Sequence, residues 1–168
     1  MNAVTSLDDV LPLPAAAALV RLVARLRHEI PLTAAMQLEA GPVDDEALVL
    51  RAPLAPNVND KGCAFGGSLA SLMTLAAWAA IELRLEARGL DCDVYVQDSS
   101  IDYLVPVWGE LQARATLAED QSWEAFFSAL AMRGKGRIGI SVEVAHAGRT
   151  AARLRARFVA KCPAGEGR

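Results

Sequence analysis

The chain has 168 residues, with 17 Lys+Arg against 20 Asp+Glu, 53% hydrophobic residues and 22% charged ones. That is the length of one domain, apolar enough to bury a core without staples, which excludes a disordered tail. Its slightly acidic balance argues against a dedicated nucleic-acid binder.

Met1 to Pro14 has no basic region followed by an apolar stretch, so it does not read as a signal peptide. Ala15 to Glu29 reads as a helix, because Leu19, Leu22, Val23 and Leu26 recur at three- and four-residue steps between arginines. Pro31 stops it. Thr33 to Ala40 alternates, with Ala34, Met36, Leu38 and Ala40 on one face, and predicts a strand. Gly41-Pro42 and the acidic run Asp44 to Glu46 predict a turn, and Ala47 to Ala52 a second strand. Pro53 to Ala64 reads as a loop.

A long helix is expected from about Gly66 to Arg88, some 23 residues and on the order of 34 Å. Its first four turns are apolar or small on every side, from Leu69 through Leu72 and Trp78 to Ile81, so something must wrap it. Gly62 to Ile81 carries no charge and is long enough to span a bilayer. It also holds Gly62, Gly66, Gly67, Ser68, Ser71 and Thr74, and amphipathic strands follow it, so it reads as a buried helix rather than a membrane span. Gly89 supplies a stop.

Strands dominate the rest. Val94 to Val107 is extended, and Leu111 to Leu117 alternates. Ser122 to Met132 reads as a short helix and Arg133 to Gly136 as a turn. Ile138 to Val144 alternates, Ala147 to Arg149 turns, and Ala152 to Phe158 alternates against Arg153, Arg155 and Arg157. The termini, 1–14 and 163–168, are expected to fray. Strands with one dry face and one helix apolar all round are satisfied together by a single α+β domain, an antiparallel sheet wrapped around that helix. Cys63, Cys92 and Cys162 share no C-x-x-C spacing, so neither a disulfide framework nor a zinc site is implied, and free thiols point to a reducing cytoplasm.

The segment Asn57-Val58-Asn59-Asp60-Lys61-Gly62-Cys63-Ala64-Phe65-Gly66-Gly67-Ser68, with the Leu/Ala/Trp helix behind it, resembles a family of hotdog-fold thioesterases. So does Gln97-Asp98-Ser99-Ser100-Ile101-Asp102-Tyr103-Leu104-Val105-Pro106-Val107. In some members this domain follows an acetyltransferase domain; here the stand-alone form is expected. The resemblance covers roughly Ala15 to Lys161 and implies the hotdog fold, acyl-thioester hydrolysis and a site at a dimer interface. One departure matters. Many hotdog thioesterases carry histidine-glycine-glycine at this helix start and an acidic residue about two turns later. Here Phe65 takes the histidine's place, and no acidic residue lies between Asp60 and Glu82.

The Gly66-Gly67-Ser68 start presents free N–H groups at the positive end of a helix dipole, suited to polarising a thioester carbonyl. The competing reading is that the glycines only let the helix pack. Asp98, mid-strand beside Ser99 and Ser100, is the candidate for activating water, or else a hydrogen-bonded structural aspartate at a bulge. Asn59 would position the water. Asn57, Asp60, Phe65, Ser68 and Ser99 would contact substrate; ordinary loop capping is the alternative for the two asparagines and Asp60. Cys63 precedes a helix start, but the only histidines, His28 and His146, sit at a surface helix end and a hairpin, which disfavours a Cys/His dyad. Arg149, Arg153, Arg155 and Arg157 share a strand face and would meet a phosphate-rich carrier or form a solvated outer face.

The expected function is hydrolysis of acyl-CoA or acyl-carrier-protein thioesters, without cofactor or metal, by a cytoplasmic homodimer or dimer of dimers paired through the Val94 to Val107 strand. The rivals are a non-catalytic acyl-binding module, favoured by the missing helix carboxylate, and a dehydratase, which would need a histidine near the helix start.

Overall fold

A computed structural model of the protein describes residues 15–163. The stretches expected to fray lie outside them, apart from Pro163. The elements run α1 (Ala15–Glu29), α2 (Pro31–Ala35), β1 (Glu39–Val43), β2 (Ala47–Ala52), α3 (Gly66–Ala87), β3 (Asp93–Tyr103), β4 (Leu111–Leu117), α4 (Trp123–Arg133), β5 (Lys135–His146) and β6 (Arg149–Lys161). The strands form one antiparallel sheet in the order β1-β2-β4-β5-β6-β3, so β1 and β3 are its edges.

One face of the sheet closes on α3. Leu48 and Leu50 from β2, Ala113 and Ala115 from β4, Ile138 to Val144 from β5 and Leu154 to Phe158 from β6 alternate into a core with Leu69, Leu72, Met73, Ala76 and Ile81 of α3. Among the described residues α3 is the one helix long and apolar enough to cross a membrane, and most of its apolar side chains are instead taken up by the sheet. The wrapping is one-sided: Ala70, Ser71, Thr74, Leu75 and Trp78 are only half-buried, along a stripe at helical spacing. Trp78, expected in the core, rests at this margin and donates its Nε1–H to the Val94 carbonyl at 3.3 Å. The α1 stripe Leu19, Leu22, Val23 and Leu26 is fully used, and Arg25 reaches across to Glu82 of α3 at 3.2 Å.

Two expectations are corrected. Thr33 to Ala40 is not one strand. Pro31 opens α2 at a position where its missing N–H costs nothing, Thr33 hydrogen-bonds back to the Ile30 carbonyl, and Gln37 turns the chain at φ 55° before β1 starts at Glu39. Gly41 and Pro42 then lie inside β1 rather than in a turn. β1 is an edge strand, where a proline loses no ladder bond, and a Cβ on Gly41 would stand 2.8 Å from Val49. The turn is made by Asp44, whose carboxylate accepts the amides of Glu46 and Ala47. Those bonds hold its pKa below the ordinary aspartate value.

The cysteines are the second correction. Cys92 and Cys162 form a disulfide that continues the β3–β6 ladder one pair beyond Asp93 and Lys161. Only Cys63 is free, and it is buried. The step from three free thiols to a reducing compartment therefore loses its premise.

Candidate functional site

The helix start meets its two neighbouring segments through backbone bonds. Asn57, buried to 1% exposure, donates its side-chain amide to the carbonyls of Met36 and Pro53, and its own carbonyl accepts the Phe65 N–H at 2.7 Å. Its Oδ1 has no partner among the described residues. Asn59 folds the loop that follows: its Oδ1 accepts the Lys61 N–H, and its Nδ2 points at the Cys63 sulfur, 3.2 Å away. Ala64 donates to the Val107 carbonyl at 2.8 Å, which ties this loop to the segment between β3 and β4. Both asparagines thus organise the loop that carries Phe65 into place. Asp60 is exposed and pairs with Lys61.

At the helix start, Phe65 is the N-cap residue and supplies no side-chain acceptor. The first intrahelical bond is Leu69 N–H to the Phe65 carbonyl at 3.1 Å. The N–H groups of Gly66, Gly67 and Ser68 therefore have no acceptor among the described residues, and no acidic side chain stands in the first turn. The Phe65 ring, 54% exposed, lies on Gly67 so closely that a Cβ there would overlap it. This close approach is one reason for glycine at position 67 that owes nothing to a ligand.

Two aromatics absent from the sequence-based candidates frame the same spot. Tyr103, the last residue of β3, sets its hydroxyl 3.2 Å from the Gly66 carbonyl as a donor. Trp108 approaches Gly62, and its backbone N–H points at His146 Nε2, 3.4 Å away. Each is 55% exposed. Their signal in the sequence was weak: large aromatics at the end of a strand and just beyond it, beside a proline and a glycine.

Asp98 lies elsewhere. The β3–β6 register shifts between Val96 and Asp98. On either side of that bulge Val96, Ser99 and Ile101 oppose the buried Phe158, Ala156 and Leu154, on the face that closes over α3. Asp98, Ser100 and Asp102 oppose Arg157, Arg155 and Arg153 on the outer face. Arg157 Nε and Nη2 both bond Asp98 Oδ2, at 2.9 and 2.6 Å, and the carboxylate raises the pKa of that guanidinium. Of the two readings of Asp98, this geometry is that of the structural aspartate at a bulge. Ser99 does face α3. Arg153 and Arg155 are paired as well, with Glu143 and Asp102, so the arginine row is part of a balanced outer face. The structure thus brings Phe65, Gly66, Gly67 and Ser68 together with Tyr103, and leaves Asp98 and Asp60 outside that group. Among the described residues no His, Cys, Asp and Glu cluster suited to a metal ion occurs.

Residues 19–162 match the protein family described as "Putative thioesterase (yiiD_Cterm)". The solved structure of a "putative thioesterase from Shewanella oneidensis" is 28% identical, covers 88% of this chain and 99% of its own, and superposes with a TM-score of 0.78. A protein of unknown function from Chlorobaculum tepidum is 25% identical over 84% of this chain and 93% of its own, with a TM-score of 0.80. A thioesterase from Haemophilus influenzae, 16% identical over 89% of this chain and 94% of its own, shares the fold with a TM-score of 0.65. No curated protein sequence matches the chain. The six-stranded antiparallel sheet closed on one long helix is the hotdog fold that the sequence resemblance implied.

Proposed function

The chain belongs to this thioesterase family, and from that premise we propose that it hydrolyses acyl thioesters carried on coenzyme A or an acyl carrier protein. The observation that carries the reading is the uncapped start of α3, with three acceptor-free amides at Gly66, Gly67 and Ser68 beside exposed aromatic surface. A thioester oxygen placed there accepts N–H groups at the positive end of a 22-residue helix as negative charge develops on it. Phe65, Tyr103 and Trp108 offer apolar surface to the acyl group or pantetheine arm. Asn57 and Asn59 serve by fixing the loop. Tyr103, whose hydroxyl meets the Gly66 carbonyl, is the side-chain hydroxyl set beside this helix start, and the first turn of α3 carries no carboxylate.

The protein acts as a homodimer in this reading. β3 is an 11-residue edge strand with Tyr95, Val96 and Tyr103 exposed, a surface that invites pairing with its two-fold mate. A second copy there would also cover the half-buried stripe of α3. Light scattering at micromolar concentration tests this, and a monomer overturns it.

One observation favours a non-catalytic acyl-binding module instead: Asp98 faces away from the helix start, and the first turn of α3 carries no carboxylate in its place. Release of free thiol from a series of acyl-CoA substrates decides between the two. Turnover supports the hydrolase, whereas saturable binding without thiol release supports the module.

A further inference from the structure

The far end of α3 carries a feature that hydrolysis does not use. Cys92 and Cys162 stand directly opposite each other at the end of the β3–β6 ladder, 70 residues apart in sequence. Their disulfide pins the first residues of an edge strand, β3, to the last residues of β6. The Cys162 N–H also donates to the Gly134 carbonyl at the α4 C-cap, so the bridge gathers three elements.

Cys162 lines an open groove of about 680 Å³. Its other walls are apolar side chains, among them Leu90 and Phe127, together with Arg88 and Arg133. Arg88 lies over the Phe127 ring at 3.8 Å. Arg133 is exposed and makes no ion pair among the described residues. The two sides of the bridge therefore differ in charge. Cys92 sits between Asp91 and Asp93, whereas Cys162 follows Lys161 and shares its groove with two guanidinium groups. Lys161 opposes Asp93 across the ladder, so the unbalanced charge is the pair of guanidinium groups in the groove, and an anion entering that groove is drawn toward Cys162.

We infer that Cys162 is a thiol–disulfide exchange site for small anionic thiols, and that this exchange releases the start of β3. A thiolate R–S⁻ attacks the Cys162 sulfur. The R–S–Cys162 bond forms, the Cys162–Cys92 bond breaks, and Cys92 leaves with the electron pair and takes up the proton that the attacking thiol gave up. A second thiol attacks the R sulfur of the mixed disulfide, giving R–S–S–R and the Cys162 thiol. Two thiols are oxidised and one protein disulfide is reduced. The remaining thiol, Cys63, is buried and takes no part.

The test uses the full chain with reduced glutathione as the anionic thiol and 2-mercaptoethanol as the neutral one. Arg133→Gln should slow opening of the bridge by glutathione about threefold or more, and change the mercaptoethanol rate by less than about twofold, as expected for steering by charge. Two variants, each lacking one cysteine of the bridge, fix the position. With glutathione disulfide, Cys92→Ser should gain its adduct on Cys162 about threefold or more faster than Cys162→Ser gains one on Cys92. Reduction should also speed amide exchange at Asp93 to Val96, with the core of β5 unchanged. The inference is overturned if mildly oxidised protein has all three thiols open to alkylation after unfolding, since the bridge then does not form. Equal slowing with both thiols, faster adduct formation on Cys92, or unchanged exchange in β3 would overturn it as well.

Discussion

The two ends of α3 are built to opposite rules. At its C-terminal end no buried polar side chain among the described residues is left without a partner. Leu83, Arg84 and Leu85 are buried, the Arg84 guanidinium lies over Trp123 at 4.5 Å and donates to the Asp45 carbonyl, and Arg25 holds Glu82. Gly89, at φ 64°, closes the helix, with its N–H on the Glu86 carbonyl and the Leu90 N–H on that of Leu85. At the N-terminal end three amides lack acceptors among the described residues, the cap residue is an exposed phenylalanine, and neighbouring aromatics face solvent. Leaving donors unpaired gives up stability that a serine or aspartate cap would supply, about 1 kcal/mol. One end of the helix holds the fold together, and under the proposed function the other keeps its donors for a thioester oxygen.

Substitutions can break this contrast or sharpen it. The largest loss of stability belongs to the segment both ends share: Leu72, fully buried, should cost about 2–5 kcal/mol when changed to Ala. A urea titration showing less than about 0.5 kcal/mol would mean that the sheet does not close on α3. Next comes the satisfied end. Arg84→Ala removes a buried cation from its ring and its carbonyl and should cost about 2 kcal/mol, leaving turnover per folded molecule unchanged. Gly67→Ala should show the reverse. The new Cβ displaces the Phe65 ring over the free amides, so kcat/KM should fall about tenfold, which is 1.4 kcal/mol, with a smaller change in the unfolding midpoint. Equal losses of stability at positions 67 and 84 would erase the distinction. Asp98→Asn should fold and turn over like the wild type, because it alters only an outer-face ion pair. A loss of about 100-fold, the usual scale of general-base catalysis, would bring Asp98 back into the chemistry.

That last expectation shows where sequence reasoning reaches its limit. α1, β2 and β4 were legible to the residue and α3 to within one, because their apolar periods are long and uninterrupted. The glycine-rich helix start was equally plain. The face occupied by Asp98 was not. Strict alternation from Val96 would turn Asp98 toward α3. The bulge inserts one residue, and Gln97, bonded by Arg137 Nε at 3.0 Å, stays on the outer face with Asp98. A one-residue shift inverts every assignment beyond it, and no local signal announces such a shift. The disulfide was hidden for a related reason. It depends on the pairing of β3 with β6, a long-range register, and not on any spacing within a motif. Between Pro31 and Ala40, two short-range preferences competed, and the proline's preference for a helix start won over a chance alternation.

The smallest effect concerns pH and the satisfied end. Burial raises the pKa of Glu82 above the ordinary glutamate value, and the Arg25 ion pair offsets only part of that. The folded protein therefore holds the Glu82 proton more tightly than the unfolded chain does. Between the unfolded pKa and the raised folded one, the folded state carries more protons, so stability falls as pH rises through that window and levels off above it. Glu82→Gln should flatten this part of the profile and gain on the wild type toward neutral pH. Arg25→Ala removes the offsetting charge and should deepen the fall. Urea midpoints of the three proteins, measured from about pH 4 to pH 8, isolate the Glu82 contribution as a difference, since other titrating groups are common to all. If the wild type instead gains on Glu82→Gln as pH rises, Arg25 outweighs burial. The clamp at this end of α3 would then be held by its ion pair and not merely tolerate it.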